Sequence, residues 1–468
     1  MTRRLGRCVL GAIVACGLLS LGGLSEAAPA AAASPTVTGP VTGGGGVPLV
    51  YSGQPADALN TNPAFDLASV GYVQQEFFVE GTASAYSPTA PLTTDGHWTV
   101  APSSTAAYKT RIVVNRPERS RDFNGTVVVE WLNVSGSVDA SPDWQHTHVE
   151  LIRRGYAWVG VSAQAVGVNY LKCPDPPVPS CPTSIQGQQP GDAARYGSLN
   201  HPGDSYSYDI YSQAGQAVRD NAALVLGGTR PRRLISVGES QSAGRLATYI
   251  DAAHPLARVY DGFLVHSRGA GGAPLSQAPL ATVNTPVPTL IRTDLSPVLA
   301  FQTETDVANA ISGAGLAARQ PDTSRYRLWE VAGTSHYDLY GLKTGSTDVG
   351  KQESVDAWFD SMLHPTNEPI PLFVCGTPIN SGPQTFVLRS AIAALDRWAA
   401  GGPPPPSAPR LEVASVSPLN FALDSLGNVR GGIRTPAVDA PVAALRGQGQ
   451  TGTAFCSLFG TTVPLTQA

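Results

Sequence analysis

Short apolar runs recur along the chain, each closed by glycine or a small polar residue and followed by a stretch of mixed polarity. Thr126-Val127-Val128-Val129-Glu130-Trp131-Leu132-Asn133 is the strongest of them, too continuous for a half-exposed strand, and predicts a strand buried on both faces. Residues 156–162, 234–237, 259–265, 297–302 and 325–331 repeat the pattern. Between them, residues 144–153 and 208–226 carry helical periodicity, and residues 355–363 predict a closing helix. Residues 70–81 and 108–115 are rich in aromatic and β-branched side chains bounded by turn formers, and predict an antiparallel pair opening the sheet. Strands alternating with helices imply an α/β fold, with a mostly parallel central sheet and helices on both faces.

The segments that break this alternation set the expected boundaries. Residues 34–69 begin with Pro, Thr and a Gly43–Gly46 run and read as a flexible lead-in. Residues 165–207 are rich in Pro, Gly, Gln and Ser, and read as a loop insertion serving as lid or rim. The core is expected over 70–364, with 365–468, including Pro403–Pro406, as an irregular C-terminal extension packed on it. There is no internal repeat.

Composition adds a compartment. Arg3, Arg4 and Arg7 precede an apolar run over 9–24 and an alanine-rich stretch, which is the pattern of a secretory signal peptide over residues 1–33. Ile13-Val14-Ala15-Cys16 also fits a lipoprotein box, but the apolar run continues past Cys16, so plain secretion is the expectation. Removing the signal takes three Arg and one Glu, moving the net charge from -4 to -6. With no basic block, nucleic acid is not an expected partner. No other apolar run is long enough to span a membrane. Cys173, Cys181, Cys375 and Cys456 remain, and an even number in an exported chain predicts two disulfides. Three pairings are possible; Cys173–Cys181 with Cys375–Cys456 is the simplest.

The candidate chemistry starts at Gly238-Glu239-Ser240-Gln241-Ser242. An apolar run ends at a glycine and an amphipathic segment follows, so strand, tight turn and helix are expected, with the turn serine pushed above the sheet edge. A second register would make Ser242 the nucleophile. Because the strand ends before Gly238, Ser240 falls at the turn and Ser242 inside the helix. Two later strands end in side chains that could serve it: Asp306, with Glu304 as reserve acid, after 297–302, and His336 after 325–331. A serine hydroxyl needs a base, and the imidazolium so formed needs a carboxylate. The oxyanion would fall to the N–H of Gln241 and that of Asn133 or Val134. Trp131, Trp144 and Tyr337 are candidates to line a substrate pocket. His146 and His148 are read as structural, since an H-x-H pair on a helix does not converge on a metal. Arg268 reads as a surface salt bridge or an anion contact. No metal or organic cofactor is needed.

The runs Gly-Tyr-Val-Gln-Gln-Glu-Phe-Phe (71–78), Val-Val-Val-Glu-Trp-Leu-Asn-Val-Ser-Gly (127–136), Gly-Tyr-Ala-Trp-Val-Gly-Val-Ser-Ala-Gln (155–164), Gly-Glu-Ser-Gln-Ser (238–242) and Gly-Thr-Ser-His (333–336) resemble a family of bacterial α/β-hydrolase domain proteins. The resemblance covers nearly the whole mature chain. It implies an α/β-hydrolase fold and a Ser-acid-His hydrolase with Ser240 as nucleophile and His336 as base. The expected activity is cleavage of small or polymer-linked carboxylic esters through an acyl-enzyme. The rival readings are acyl transfer through the same intermediate, and a non-catalytic extracellular binding module on the same scaffold.

Overall fold

A computed structural model of the chain describes residues 32–42, 65–184, 187–188, 190–308, 315–369 and 374–465. The signal-peptide region up to residue 31, Cys16 included, and most of the lead-in (43–64) lie outside the described residues.

The nine-stranded sheet comprises β1 (Thr36–Thr38), β2 (Tyr72–Pro88), β3 (Val100–Pro117), β4 (Thr126–Trp131), β5 (Ala157–Val161), β6 (Arg233–Glu239), β7 (Gly262–His266), β8 (Val298–Thr303) and β9 (Tyr326–Val331). Their order is β1-β2-β3-β5-β4-β6-β7-β8-β9. The long β2–β3 hairpin is antiparallel, as is the β3–β5 pair, whereas β5, β4, β6, β7, β8 and β9 run parallel. Thr36–Thr38, within the stretch read as a flexible lead-in, instead pairs with Phe78–Glu80 and covers the hairpin's edge.

Strand β4 is buried at all six positions because helices cover both faces. Val127 and Val129 point to one face, into a core shared with Ile210, Tyr211 and Ala214 of α2 (Ser207–Asp220) and Leu246 of α3 (Gln241–Thr248). Val128 points to the other, with Leu151 of α1 (Pro142–Arg153) and the apolar face of a late helix, Gln384–Ala399. The chain passes from β4 outward to β5 through α1, then returns to place β6 on β4's other side. That reversal puts the topological switch point at the carboxyl ends of β4 and β6, the place where open α/β sheets bind ligands.

Three expectations about organisation need correction. The predicted helix at 355–363 exists as Gln352–Leu363, but of its side chains only Met362 is buried, and Val355, Phe359 and Leu363 are exposed. The sheet is closed instead by Gln384–Ala399, inside the extension read as irregular; Leu388, Ala391, Ile392, Leu395 and Trp398 recur there at helical spacing and pack on the core. The 165–207 segment is not a bare loop. It contains a helix (Ala165–Leu171) and the Cys173–Cys181 bridge, and Arg195 and Tyr196 bind Glu76 at 2.7 and 2.9 Å. Arg111 joins this buried cluster through Glu76 (2.8 Å) and Asp139 (3.0 Å), so the segment is anchored to the hairpin rather than poised as a lid.

Cys375–Cys456 closes the second disulfide, so the pairing is the one expected. It spans 81 residues, for which chain-entropy arguments give a stabilisation of about 4.5 kcal/mol. Among the described residues no helix is long and apolar enough to cross a membrane. Because Leu388 is fully buried beneath the sheet, Leu388→Ala should lower unfolding free energy by about 3 kcal/mol, measurable by urea denaturation. A change within about 0.5 kcal/mol would mean that the helix does not close the core.

Candidate active site

Strand β6 lies between β4 and β7 and ends at Glu239. Ser240 then turns the chain with φ 58° and ψ -116°, and α3 starts at Gln241. A side chain at φ near +60° is strained by contact with its own backbone, so the turn persists only if held. It is held by its N–H, which donates to the carbonyl of His266 at the end of β7 (2.9 Å). It also depends on Gly238, where a Cβ would come within 3.0 Å of Leu246 and 3.2 Å of the Ser242 backbone. Ser242 lies inside the helix, buried, with its hydroxyl facing the Leu132 carbonyl at 3.3 Å.

The Ser240 hydroxyl lies 2.8 Å from Nε2 of His336, and His336 Nδ1 lies 2.5 Å from Oδ1 of Asp306. Asp306 sits just beyond β8, where its other oxygen accepts the N–H and hydroxyl of Thr303, both at 2.7 Å. Its carboxyl would be raised by burial, but His336 and the Thr303 donors outweigh this and hold it below the usual carboxylate range. For His336, burial disfavours the imidazolium, yet the Asp306 and Glu239 carboxylates overcome it and push the pKa up to about 9.

Glu304 is not in contact with the imidazole. Its oxygens accept the backbone N–H of Gly333, on the loop carrying His336, and of Gly447, in the C-terminal extension (2.6 and 2.7 Å). Burial pushes its pKa up to about 8 against those two donors. The extension grips the same loop elsewhere: Asn380 donates to the Gly333 carbonyl at 3.2 Å, and Leu458 accepts the N–H of Tyr337 at 3.2 Å. Only glycine fits at 447, where a Cβ would stand 2.5 Å from the Thr305 nitrogen and 2.7 Å from the Thr334 carbonyl oxygen. Residues far downstream of the expected core therefore place the histidine.

Of the two expected donors after β4, the N–H of Asn133 is already given to the carbonyl of Ala140 at 2.8 Å. Among the described residues no acceptor takes the N–H of Val134 or that of Gln241, and both residues lie just past the carboxyl ends of β4 and β6. Asn133 contributes through its side chain, whose amide donates to the carboxylate of Glu239 at 3.2 Å. Glu239, whose role the sequence did not signal, brings its other oxygen within 3.2 Å of His336 Nε2.

The aromatic expectations separate. Trp131 is fully buried, its indole N–H given to Gln164 at 3.0 Å and its ring packed on Tyr208 and Tyr211. Trp144 is buried against Trp158 and His148. Both belong to the core, because the β4 terminus and α1 turn these large apolar rings inward. Tyr337 alone stays half-buried, next to His336. His146 and His148 are buried on α1, and His148 is bound to backbone carbonyls, including Asp348 at 2.7 Å. Arg268 is not a surface ion pair, since its buried guanidinium serves backbone carbonyls such as Ala270 at 3.3 Å.

Residues 37–468 match the family model described as an alpha/beta hydrolase domain, and the chain belongs to that family. Fold and hydrolase class are those the sequence led us to expect. Comparison with curated proteins finds no match. Solved structures similar to this chain include one from a study of two fungal esterases of Rhizomucor miehei, 12% identical, covering 73% of this chain and 93% of that one (TM-score 0.32). A glucuronoyl esterase from Solibacter usitatus is 10% identical over 56% of this chain and 76% of that one (TM-score 0.29). A thermostable esterase from Pseudomonas putida is 13% identical over 63% and 81%, respectively (TM-score 0.29).

Glu304→Ala would strip two buried N–H groups of their acceptors. It should cost about 3 kcal/mol or more of stability in urea denaturation, together with a loss of activity as the His336 loop loosens. Wild-type stability and turnover in this variant would remove Glu304 from any positioning role.

Proposed function

We propose that this chain is an exported serine esterase that cleaves carboxylic esters through an acyl-enzyme, with Ser240 as nucleophile, His336 as general base and acid, and Asp306 as the carboxylate that orients it. The observation carrying this reading is the unbroken line from the Ser240 hydroxyl through His336 to Asp306, at 2.8 and 2.5 Å. An uncharged hydroxyl is a weak nucleophile. With Nδ1–H held by Asp306, the imidazole turns its Nε2 lone pair to the serine and takes its proton as the hydroxyl oxygen attacks the ester carbonyl. Negative charge then develops on the carbonyl oxygen, where the free N–H groups of Gln241 and Val134 would receive it. The proton moves from Nε2 to the departing alcohol, and water repeats the sequence on the acyl-enzyme.

Export is supported by the basic start and apolar run of residues 1–33 and by the two disulfides, which persist in oxidising surroundings.

A fluorophosphonate probe should label the wild-type protein and fail to label Ser240→Ala, with nitrophenyl-ester turnover falling by about 10⁴-fold or more. Labelling of neither protein would favour a non-catalytic scaffold. Asp306→Asn should lose about 10⁴ in kcat while retaining the fold, because the amide favours the wrong tautomer. The base acts only when neutral. With its pKa pushed up to about 9, kcat/KM should therefore rise with pH through the neutral range and reach half its maximum near pH 9. A plateau already reached at pH 6 would contradict the described electrostatics.

A further inference from the structure

We infer that Glu239 is a positioning residue for His336: its carboxylate, fixed by Asn133, flanks Nε2 of the imidazole and sets the pH at which that nitrogen can act as a base. The inference rests on the reading of Ser240 and His336 just given.

Glu239 is the last residue of β6 and is 4% exposed. One oxygen lies 3.2 Å from His336 Nε2, the same nitrogen that faces the Ser240 hydroxyl. The other accepts the Asn133 amide at 3.2 Å, and that amide is itself fixed, donating to the Glu239 carbonyl (3.1 Å) while its oxygen accepts the Ser135 N–H (2.8 Å). The carboxylate therefore has one place to be.

Charged and titratable groups face it from four elements. His336 comes from the loop after β9, and Asp306 from the turn after β8. His266, opposite Glu239 in the β6–β7 register, comes from β7, and Asp143 from the first turn of α1. His266 is itself bound to Asp143 through Nδ1 (2.9 Å), and its Nε2 lies 3.0 Å from the Gln384 amide. Three carboxylates thus share two imidazoles in a buried site, and His266 is matched by Asp143. Glu239 acts on His266 as well, but its close ion pair, at 3.2 Å, is with His336.

A carboxylate 3.2 Å from Nε2 repels a bare lone pair there and attracts a proton. Glu239 therefore raises the proton affinity of His336 and, once the serine proton has moved, helps hold the imidazolium from the end of the ring that Asp306 does not reach. Burial pushes Glu239's own pKa up to about 7, against the pull of the two histidines, so this influence grows across the neutral range. The pair titrates as a unit.

Glu239→Gln keeps the shape and removes the charge. The acid limb of kcat/KM should move by about one to three pH units toward acid, with kcat on the alkaline plateau falling as the imidazolium loses one of its two partners. The imidazole nitrogen resonances of His336, followed by NMR in a Ser240→Ala background, should titrate lower by the same interval without any turnover. Asn133→Ala, which frees the carboxylate but retains its charge, should move both readouts in the same direction by less, and takes the place of Glu239→Gln if that variant does not fold. A profile and a resonance that both stay at their wild-type positions overturn the inference while ester hydrolysis stands. A shifted resonance in a protein that neither hydrolyses esters nor reacts with fluorophosphonate leaves the inference standing and removes the esterase reading.

Discussion

The backbone of Ser240 is the constraint from which the site is built. A residue with a Cβ held at φ 58° stores on the order of 1–3 kcal/mol of strain, and it stays there only because its surroundings leave no alternative. Strand β6 cannot slide, since it is hydrogen-bonded on both edges and buried on both faces. The Ser240 N–H is bound to the next strand, Gly238 leaves room for the turn, and α3 carries the chain away at once. The same turn that projects the Ser240 hydroxyl leaves the N–H of Gln241 without an acceptor among the described residues, so hydroxyl and N–H come from one local conformation.

A second constraint is the number of carboxylates buried at this rim of the sheet. Asp306, Glu239, Glu304 and Asp143 are each almost wholly removed from water, and each has a partner that makes its burial tolerable. Asp306 is held by two Thr303 donors and His336, Glu304 by two backbone N–H groups, Glu239 by Asn133, and Asp143 by His266. Removing either partner leaves a buried polar or charged group uncompensated, which is costlier than the pair is stabilising. These pairs tie the loops after β4, β6, β7, β8 and β9 into one polar layer. The C-terminal extension completes it through Gly447, Asn380 and Leu458, so the tail is part of the site's support rather than an appendage.

Much of this was legible one stretch at a time. Strand β4 declared itself through an apolar run too continuous for a half-exposed strand, and the turn at Ser240 through small residues between a strand and a helix. The order of Ser240, Asp306 and His336, each just past the end of a strand, followed from the chain order of those strands. The helix at 384–399 had its own periodic pattern but was obscured by flanking Pro- and Gly-rich segments. Trp131 and Trp144 were misjudged because an aromatic at a strand end or in a first helical turn has the same sequence signature whether it faces a pocket or the core.

The sequence alone determined the α/β alternation, the hairpin that opens the sheet and the positions of Ser240, Asp306 and His336 just past strand ends, because each depends on local periodicity or on the chain order of strands. Only the tertiary structure set Asp306 rather than Glu304 against His336, gave the Asn133 N–H to Ala140, and brought Glu239 to the imidazole. Two carboxylates two residues apart are equivalent in composition and spacing; what separates them is which oxygen meets a ring nitrogen and which meets a backbone N–H. That depends on contacts between segments as distant as 304 and 447, which no local pattern encodes.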